Sequence, residues 1–537
     1  MKALLVAILL TSQPALAAVG VAGACTESES WSLGSKVPEA MKVGFDRMLT
    51  GDLEPAEGFA YAVNHQKTAT TAEARVFAEY WQSRSLLVAK LPHLAFEGFA
   101  RLAGGRPTTE TAPVQVAALD CLNRLHETLP ALGLPIPPES LHAYLELRPS
   151  APDRRAILEY ALNWLKVTNH EGQPSQAALG ILKGSGPYES LAQGLVSSKL
   201  GDHAATVHSL ETFLGRAPSA SQVPSQLKRH VNAARLLLAR ALYSLGRYDQ
   251  AAERYRQISR SSNDVVAMLS ELSWSYLMTG RYGDAVGAAS QLNAGNLRTT
   301  FAPEAPMVAA MALNELCQFP DSLKMVKKFH ADYLPSYNWL VTWSKKKDRE
   351  ELYPLAIAHL NGKLQPGTVP ERVATEWLRS PVFLALQDEV NLIYAEKEAA
   401  AEMSEEIRDR KDRLAWTAWP VLNAAFEKSS SSRQLELVAR IDRELAAISS
   451  RMLSQLKQVA ENSKMIKVEI YNGASHDIIW QNAHPDYKKV AKKLAAELHD
   501  QQKQPMGRVW DWGTVNAGAS KIEIWEDEVG AFKANLA

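Results

Sequence analysis

The chain has 537 residues, and its 59 Lys and Arg residues balance its 59 Asp and Glu residues to a formal net charge of +0. No long basic stretch stands out, so nucleic acid is not an expected partner. The length exceeds that of one ordinary domain, but a repeat solenoid can hold many residues without separate cores. The 3 cysteines form no CxxC motif, and their wide spacing proposes no particular disulfide.

The first 17 residues, MKALLVAILLTSQPALA, have the layout of a secretory signal peptide. Lys2 precedes a short apolar run from Ala3 to Leu10, and small residues lead to Ala17, where cleavage is predicted. The run is far shorter than the roughly 20 apolar residues that a membrane span needs. No later segment is apolar over that length. We therefore predict an exported protein of the periplasm without a transmembrane segment.

A lipoprotein signal that uses Cys25 is the alternative, because small residues precede this cysteine. Ala22 stands where such signals usually have leucine, which weakens the match. Lipidation at Cys25 would place the protein at the periphery of the outer membrane.

Residues 26–150 are interpreted as an N-terminal helical region. Apolar residues at helical spacing predict helices over Thr71–Leu91 and Val114–Leu132. A proline-rich segment then breaks the chain, and Arg154–Val167 resumes as a helix. Antiparallel helix pairs are the expected structure of this region.

The most informative stretch is Val231–Leu292, where two segments with the same skeleton lie 34 residues apart. Each segment has small residues on both predicted helices, a glycine between the helices and a tyrosine at the start of the second helix. These repeat-structural positions are Ala239, Gly246, Tyr248 and Ala251 in the first copy, and Ser273, Gly280, Tyr282 and Ala285 in the second. A recurring period of this length is typical of stacked helix–turn–helix units.

This pattern resembles the tetratricopeptide repeat (TPR) family, although both copies lack the Trp and the terminal Pro of the family motif. Weaker copies flank the pair at Tyr188–Pro218 and from Ala310 to Phe329. The resemblance implies a right-handed helical solenoid, and we assign the TPR array to residues 155–335. It also implies that partners bind the concave face, at polar positions of the first helices. The candidate partner-binding residues are Arg235, Arg240, Tyr243, Glu271, Trp274 and Tyr276.

Residues 336–381 are interpreted as a capping or transition region, because aromatic residues cluster there and prolines such as Pro335 interrupt the chain. Residues 382–462 then carry two coiled-coil seams. Apolar residues recur every seven positions in the first seam, at Leu386, Ile393, Ala400, Ile407 and Leu414. The second seam comprises Val438, Ile441, Leu445, Ile448, Met452 and Val459. These seams predict a long helical hairpin with its break at Lys428–Ser432, and self-association through the hairpin is an alternative role.

The last segment, residues 465–537, is predicted to be a small α/β or irregular tail, so the whole chain is expected to be mainly α. The stretches KVEIYNG, VWDWG and KIEIWEDE show strand-like alternation. The expected core of the tail consists of Trp480, Trp510, Trp512 and Trp525.

A search for catalytic motifs finds no P-loop, dinucleotide-binding glycine pattern, HExxH or nucleophile elbow. His476, Asp477 and His484 would need a further ligand to hold a metal. Asp511 and the Glu526–Glu528 run fit an acidic surface better than a catalytic carboxylate pair. We therefore predict no enzyme activity, no catalytic residue, no metal and no cofactor.

The layout as a whole is also similar to large exported TPR proteins of myxobacteria and their predatory relatives. The similarity lies in stretches such as TFAPEAPMVAAMALNELCQF, EIYNGASHDIIWQNAHPDY and EIWEDEVGAFK. It implies a protein-interaction scaffold of the cell envelope, as part of a motility or envelope-spanning complex, with other envelope proteins as partners. The alternative is a ligand- or cell-wall-binding protein, or an enzyme, that acts through the Trp-rich tail.

Overall fold

The computed structural model describes Cys25 and residues 37–167, 173–215, 225–260, 264–346, 351–410 and 413–483. Within these residues all regular structure is helical, which confirms the prediction of a mainly α fold. The pattern of helices joined by short turns is compatible with a helical repeat solenoid.

The helices of the first half of the chain are short. They are α1 (Glu39–Thr50), α2 (Pro55–Thr68), α3 (Ala72–Val88), α4 (Pro92–Ala103), α5 (Ala112–Thr128), α6 (Pro138–Glu146), α7 (Ala151–Val167), α8 (Gln173–Leu182), α9 (Pro187–Lys199), α10 (His203–Gly215) and α11 (Ser225–Lys228).

The second half ends in much longer helices. Its elements are α12 (Val231–Ser244), α13 (Tyr248–Arg256), α14 (Val265–Met278), α15 (Tyr282–Gln291), α16 (Ala305–Glu315), α17 (Phe319–Lys345), α18 (Tyr353–Leu360), α19 (Glu371–Arg379), α20 (Pro381–Arg410) and α21 (Arg413–Ala483). Single 3-10 turns occur at Pro130–Leu132 and Gly295–Leu297.

The chain divides into two compact units, each assembled from two separate stretches of sequence. The first unit combines Met1–Lys199 with Pro381–Arg443, and the second combines Leu200–Ser380 with Glu444–Ala537. Helix α21 contributes its beginning to the first unit and the rest of its length to the second.

Large aromatic residues and a disulfide form part of the core of the first unit. Phe45 and Phe77 are fully buried, with ring centroids 5.1 Å apart, and Tyr80 packs on Phe99 at 5.5 Å. A disulfide joins Cys25 to Cys121 with a Cα–Cα distance of 5.0 Å. Sequence spacing did not identify this pairing, because the two cysteines are 96 residues apart in the chain.

The two central helix pairs repeat with the predicted period. Helices α12 and α14 begin at Val231 and Val265, and α13 and α15 begin at Tyr248 and Tyr282, which are 34 residues apart in each case. The small residues of both helices in each pair are fully buried, as side chains without bulk allow close approach. These residues are Ala239, Ala251, Ser273 and Ala285.

The turn between the two helices of each pair requires a residue with a left-handed backbone conformation. Gly246 has φ of +75°, its N–H donates to the Tyr243 carbonyl at 2.9 Å, and the Arg247 N–H donates to the Leu242 carbonyl at 2.9 Å. These two bonds satisfy carbonyls that the end of α12 leaves open. Gly280 has φ of +71° in the corresponding turn after α14.

The same turn is also made by residues that are not glycine. Cys317 has φ of +58° between α16 and α17, and the N–H of the next residue donates to the Leu313 carbonyl at 2.8 Å. Lys90 has φ of +61° between α3 and α4, where the Leu91 N–H donates to the Leu86 carbonyl at 2.9 Å. The N-terminal region therefore contains a helix pair with this turn that a search for glycine does not reveal.

The predicted break at Lys428–Ser432 is wrong, because α21 runs through it without interruption. The hydroxyl groups of Ser429 and Ser430 donate to the carbonyls of Phe426 and Glu427 at 3.1 and 3.2 Å. Serines that bond back to the preceding turn are compatible with a helix interior. Helix α20 instead ends at Arg410, and α21 begins at Arg413.

The strand predicted for KVEIYNG is also wrong, since α21 continues to Ala483. The buried residues Val459, Ser463, Ile466 and Ile470 follow one another at helical spacing. The alternation in KVEIYNG was too short to distinguish a strand from one face of a helix. The predicted tail residues Trp510, Trp512 and Trp525, and the side chain of Trp480, lie outside the described residues.

Pro335 does not interrupt the chain as predicted, because α17 runs through it from Phe319 to Lys345. Pro335 cannot donate to the carbonyl of Ala331, yet both residues are exposed, so water can reach that carbonyl. The helix therefore crosses the predicted boundary between the array and the capping region.

Candidate partner-binding surface

The predicted binding residues lie on two first helices of the second unit. Helix α12 carries Arg235, Arg240 and Tyr243, and α14 carries Glu271, Trp274 and Tyr276. Nearly all of them have partners within the chain, which sequence reasoning did not anticipate.

An ion pair joins the two helices at the centre of this surface. The Arg240 guanidinium donates from Nε to both carboxylate oxygens of Glu271, at 3.0 and 2.9 Å, and from Nη2 to Oε1 at 2.7 Å. Tyr255 donates its hydroxyl to Oε2 of Glu271 at 2.9 Å. Hydrogen bonding to Glu271 raises the pKa of Arg240. The side chains remain 46% and 29% exposed, and an approaching partner can reach them.

A second bridge extends from α14 to the beginning of α16. The Trp274 indole Nε1 donates to Oε2 of Glu304 at 2.9 Å, and Gln455 of α21 donates to Oε1 of the same carboxylate at 3.2 Å. Glu304 is the N-cap residue of α16, where a carboxylate is favoured by the positive end of the helix dipole. Trp274 is therefore held in place by its own chain.

The other predicted residues differ in how much of them a partner could touch. Arg235 donates to the carbonyl of Gln257 at 2.7 Å. Tyr243 is half-buried and packs edge-on against Tyr248, with centroids 5.0 Å apart. Tyr276 is buried beneath the Arg281 guanidinium, which lies 4.4 Å from the ring centroid, so Tyr276 offers little surface to a partner.

The first unit contains a buried polar network that sequence reasoning missed. The carboxylate of Glu396 on α20 accepts from the backbone N–H of His93 at 2.6 Å and also bonds to its Nδ1. The other ring nitrogen of His93 lies 3.3 Å from Glu389, which also accepts from Arg433 of α21. His93 is in the first turn of α4, so Glu396 accepts a hydrogen bond from one of the free N–H groups at the start of this helix. The N-cap residue of α4, Leu91, has no side-chain acceptor and cannot make such a bond.

The network shifts the pKa of its members in opposite directions. Burial alone lowers the pKa of His93, but attraction to Glu396 and the hydrogen bonds that the ring donates to both carboxylates outweigh it and raise the pKa to about 9. Burial raises the pKa of Glu389, but hydrogen bonding to His93 and the charge of Arg433 lower it overall. His93 is therefore a cation at neutral pH between two carboxylates.

A signal for this network was present in the first predicted seam. Leu386 and Ile393 are buried as predicted, but Glu389 and Glu396, three residues after each, are also fully buried. Glutamates at two consecutive core positions of a heptad are exceptions that normally need partners. Their partner His93 is 303 residues away from Glu396, so no local pattern could identify it.

The residues considered for catalysis or metal binding give no assembled site in the described chain. His476 is exposed on α21, while the side chains of Asp477 and His484 and the acidic residues near the C-terminus lie outside the described residues. Across the described residues, no group of three or more His, Cys, Asp or Glu is arranged to hold a metal ion. No helix in that part of the chain is long and apolar enough to cross a membrane.

Comparison with known protein families, with characterised proteins and with solved structures finds no match for this chain.

Proposed function

We propose that the protein is a non-catalytic scaffold for protein–protein interactions in the bacterial cell envelope. In this proposal the helix pairs form a TPR-type right-handed solenoid, α20 and α21 form a long hairpin, and partners bind the surface around Arg240, Glu271 and Trp274. The protein serves as part of a motility or envelope-spanning complex. The observation that carries the proposal is the pair of helix–turn–helix units with one 34-residue period, whose first helices present adjoining polar and aromatic side chains.

The internal bonds of this surface support a binding role. The Arg240–Glu271 pair and the Trp274–Glu304 bridge hold their side chains in one arrangement before a partner arrives. Side chains that are already fixed lose less conformational entropy on binding. Arg and Trp are also the residue types that most often dominate interface energies.

The disulfide supports export to an oxidising compartment. Disulfides persist outside the cytosol, and this one joins Cys25 to Cys121, which are both fully buried. A sulfur atom in a disulfide cannot also carry a thioether-linked lipid, which favours the predicted periplasmic location over the alternative of lipidation at Cys25.

Crosslinking in intact cells, affinity capture of the mature protein and mass spectrometry test the proposal. A double variant, Arg240→Glu with Glu271→Arg, preserves an ion pair between α12 and α14 but reverses the charges that a partner meets. We expect a recurring set of envelope proteins with the wild type and its loss with the double variant. The matched control is Lys324→Glu, an exposed charge change on α17. Equal capture by both variants and the wild type would show that this surface is not the binding site.

A further inference from the structure

A pocket of about 530 Å³ opens in the second unit, away from the surface around Arg240. Pro335 and Trp339 of α17 form one wall, and His359 at the end of α18 lies on another side. The loop that leads to α19 contributes Gln365, and Glu371 begins that helix. A volume of this size lies within the range of small-molecule sites.

Trp339 is fixed in this wall by three contacts. Its indole Nε1 donates to the carbonyl of Thr368 at 2.8 Å. Its ring lies parallel to that of Trp343, with centroids 6.4 Å apart and an interplanar angle of 1°, and meets Trp377 at 5.8 Å and 65°. Trp339 nevertheless remains partly exposed. The pocket therefore presents a rigid aromatic surface whose only polar atom is already used.

The polar side chains of the pocket are in a different situation. Gln365 and Glu371 are exposed and His359 is partly exposed, and within the described residues none of these three side chains is bonded to another residue, so all three are accessible from the pocket. An amide, an imidazole and a carboxylate together provide both donors and acceptors to a ligand.

We propose that this pocket binds a saccharide of one or two sugar rings. A pyranose has an apolar C–H face, which suits the exposed face of Trp339, and a rim of hydroxyl groups that both donate and accept hydrogen bonds. The groups at positions 359, 365 and 371 match that rim. A proline-rich peptide is less suited to the site, because such a peptide repeats every three residues and docks in extended grooves lined by several aromatic residues. The inference is independent of the scaffold proposal.

Calorimetric titration of the full chain tests this assignment with three probes: chitobiose, cellobiose and a synthetic proline-rich decapeptide. Saturation-transfer NMR on the bound sugar identifies which of its protons touch an aromatic ring. We expect one of the two saccharides to bind at a single site, with the strongest transfer at the ring protons of one sugar face. Binding of the peptide alone, or of neither saccharide, would overturn the proposal.

Substitutions locate the binding to this pocket. Trp339→Ala and Glu371→Gln should each weaken saccharide binding by about tenfold, the loss that a central contact typically causes. Trp339→Phe, which keeps an aromatic face, should weaken it less. Because Trp339 also packs on two tryptophans, Glu371→Gln is the variant that leaves the packing of the pocket wall unchanged, and Glu436→Gln, an exposed change on α21, is its control. Unchanged affinity of Glu371→Gln and Trp339→Phe would assign the sugar to another place.

Discussion

The turns within three successive helix pairs share a left-handed backbone conformation but differ in the residue that adopts it. Gly246, Gly280 and Cys317 occupy the same turn position with φ of +75°, +71° and +58°. A side chain in the left-handed region costs about 1–2 kcal/mol relative to glycine. The third turn therefore carries a conformational cost that the first two avoid.

Replacing Gly246 by valine should lower the free energy of unfolding by about 1–2 kcal/mol, because a β-branched residue is poorly tolerated at positive φ. No atom lies within 4 Å of the position that the new Cβ would take, so the loss would come from the backbone alone. Chemical denaturation measures it. The neighbouring exposed change Leu245→Val should have little effect, and wild-type stability of Gly246→Val would show that the turn is assigned incorrectly.

Cys317→Gly should have the opposite effect and raise the free energy of unfolding by about 0.5–1 kcal/mol, less than the full strain because glycine also gains freedom in the unfolded chain. Cys317→Ser is the control, since it removes the thiol and retains the cost of the left-handed backbone. Denaturation curves of the two variants would contradict this account if serine stabilised the protein as much as glycine.

The buried His93 cation makes stability depend on pH in a defined direction. Its pKa is about 9 in the folded protein, above the ordinary value of 6.5, so its contribution is complete below pH 6.5 and is lost as pH rises through 9. The size of the effect is on the order of 3 kcal/mol. His93→Gln should therefore destabilise strongly at pH 6 and much less at pH 10, as measured by urea denaturation.

The control for His93→Gln is Leu386→Ala in the same unit. This variant removes buried apolar volume but no titrating group. Its destabilisation should stay constant between pH 6 and pH 10. A His93→Gln penalty that was equally constant would mean that the imidazole is neutral in the folded protein.

At the scale of elements, the sequence predicted helices where apolar residues recurred at regular spacing. It predicted where a helix begins or ends only where a glycine or tyrosine marked the turn. The starts of α13 and α15 at Tyr248 and Tyr282 are examples. The course of α21 could not be predicted, because its buried face includes Ser463, a polar residue that does not count as apolar. The heptad spacing placed Glu389 at a core position, but it could not identify the histidine that pairs with it, which comes from a distant helix.

Within the second unit, Gly473 of α21 lies so close to α17 that a Cβ would overlap the ring of Phe319 at Cε1. Gly473→Ala should therefore lower the free energy of unfolding by about 0.5–1 kcal/mol, since the ring must move away and this outweighs the gain in helix propensity. Gly180→Ala is the matched control, because Gly180 is an exposed position of α8 with nothing within 4 Å. We expect that variant to be more stable by about 0.5–1 kcal/mol. Thermal melts that ranked the two variants in the reverse order would rule out this packing.

At the scale of the whole molecule, the disulfide is the covalent tie between distant parts of the first unit. Cys25 and Cys121 are separated by 96 residues, so the bond removes many conformations from the unfolded chain. Reduction, or the pair of changes Cys25→Ser and Cys121→Ser, should cost about 2–5 kcal/mol of stability. Denaturation with and without reductant measures this. Cys317→Ser should keep the full response to reductant, and an oxidised protein no more stable than the reduced one would contradict the prediction.

The sequence predicted which residues form the candidate binding surface, but it did not predict the hydrogen bonds between them. The repeat pattern placed Arg240 and Glu271 on first helices, and it could not show that they bind each other, because their pairing depends on how α12 lies against α14. The pocket at Trp339 was hidden for a similar reason. Its walls come from α17, α18 and the start of α19, which no single motif connects.

The discontinuous first unit has a consequence for the newly made chain. The hydrogen bonds of His93 to Glu396 cannot form until Glu396 has been synthesised, 303 residues later. At typical ribosomal rates of about 5–20 residues per second, this delay is roughly 15–60 s. During that interval the beginning of α4 has neither its capping carboxylate nor the counter-ion of its histidine. Helix α20 and the beginning of α21 therefore complete a unit whose first helices were made long before.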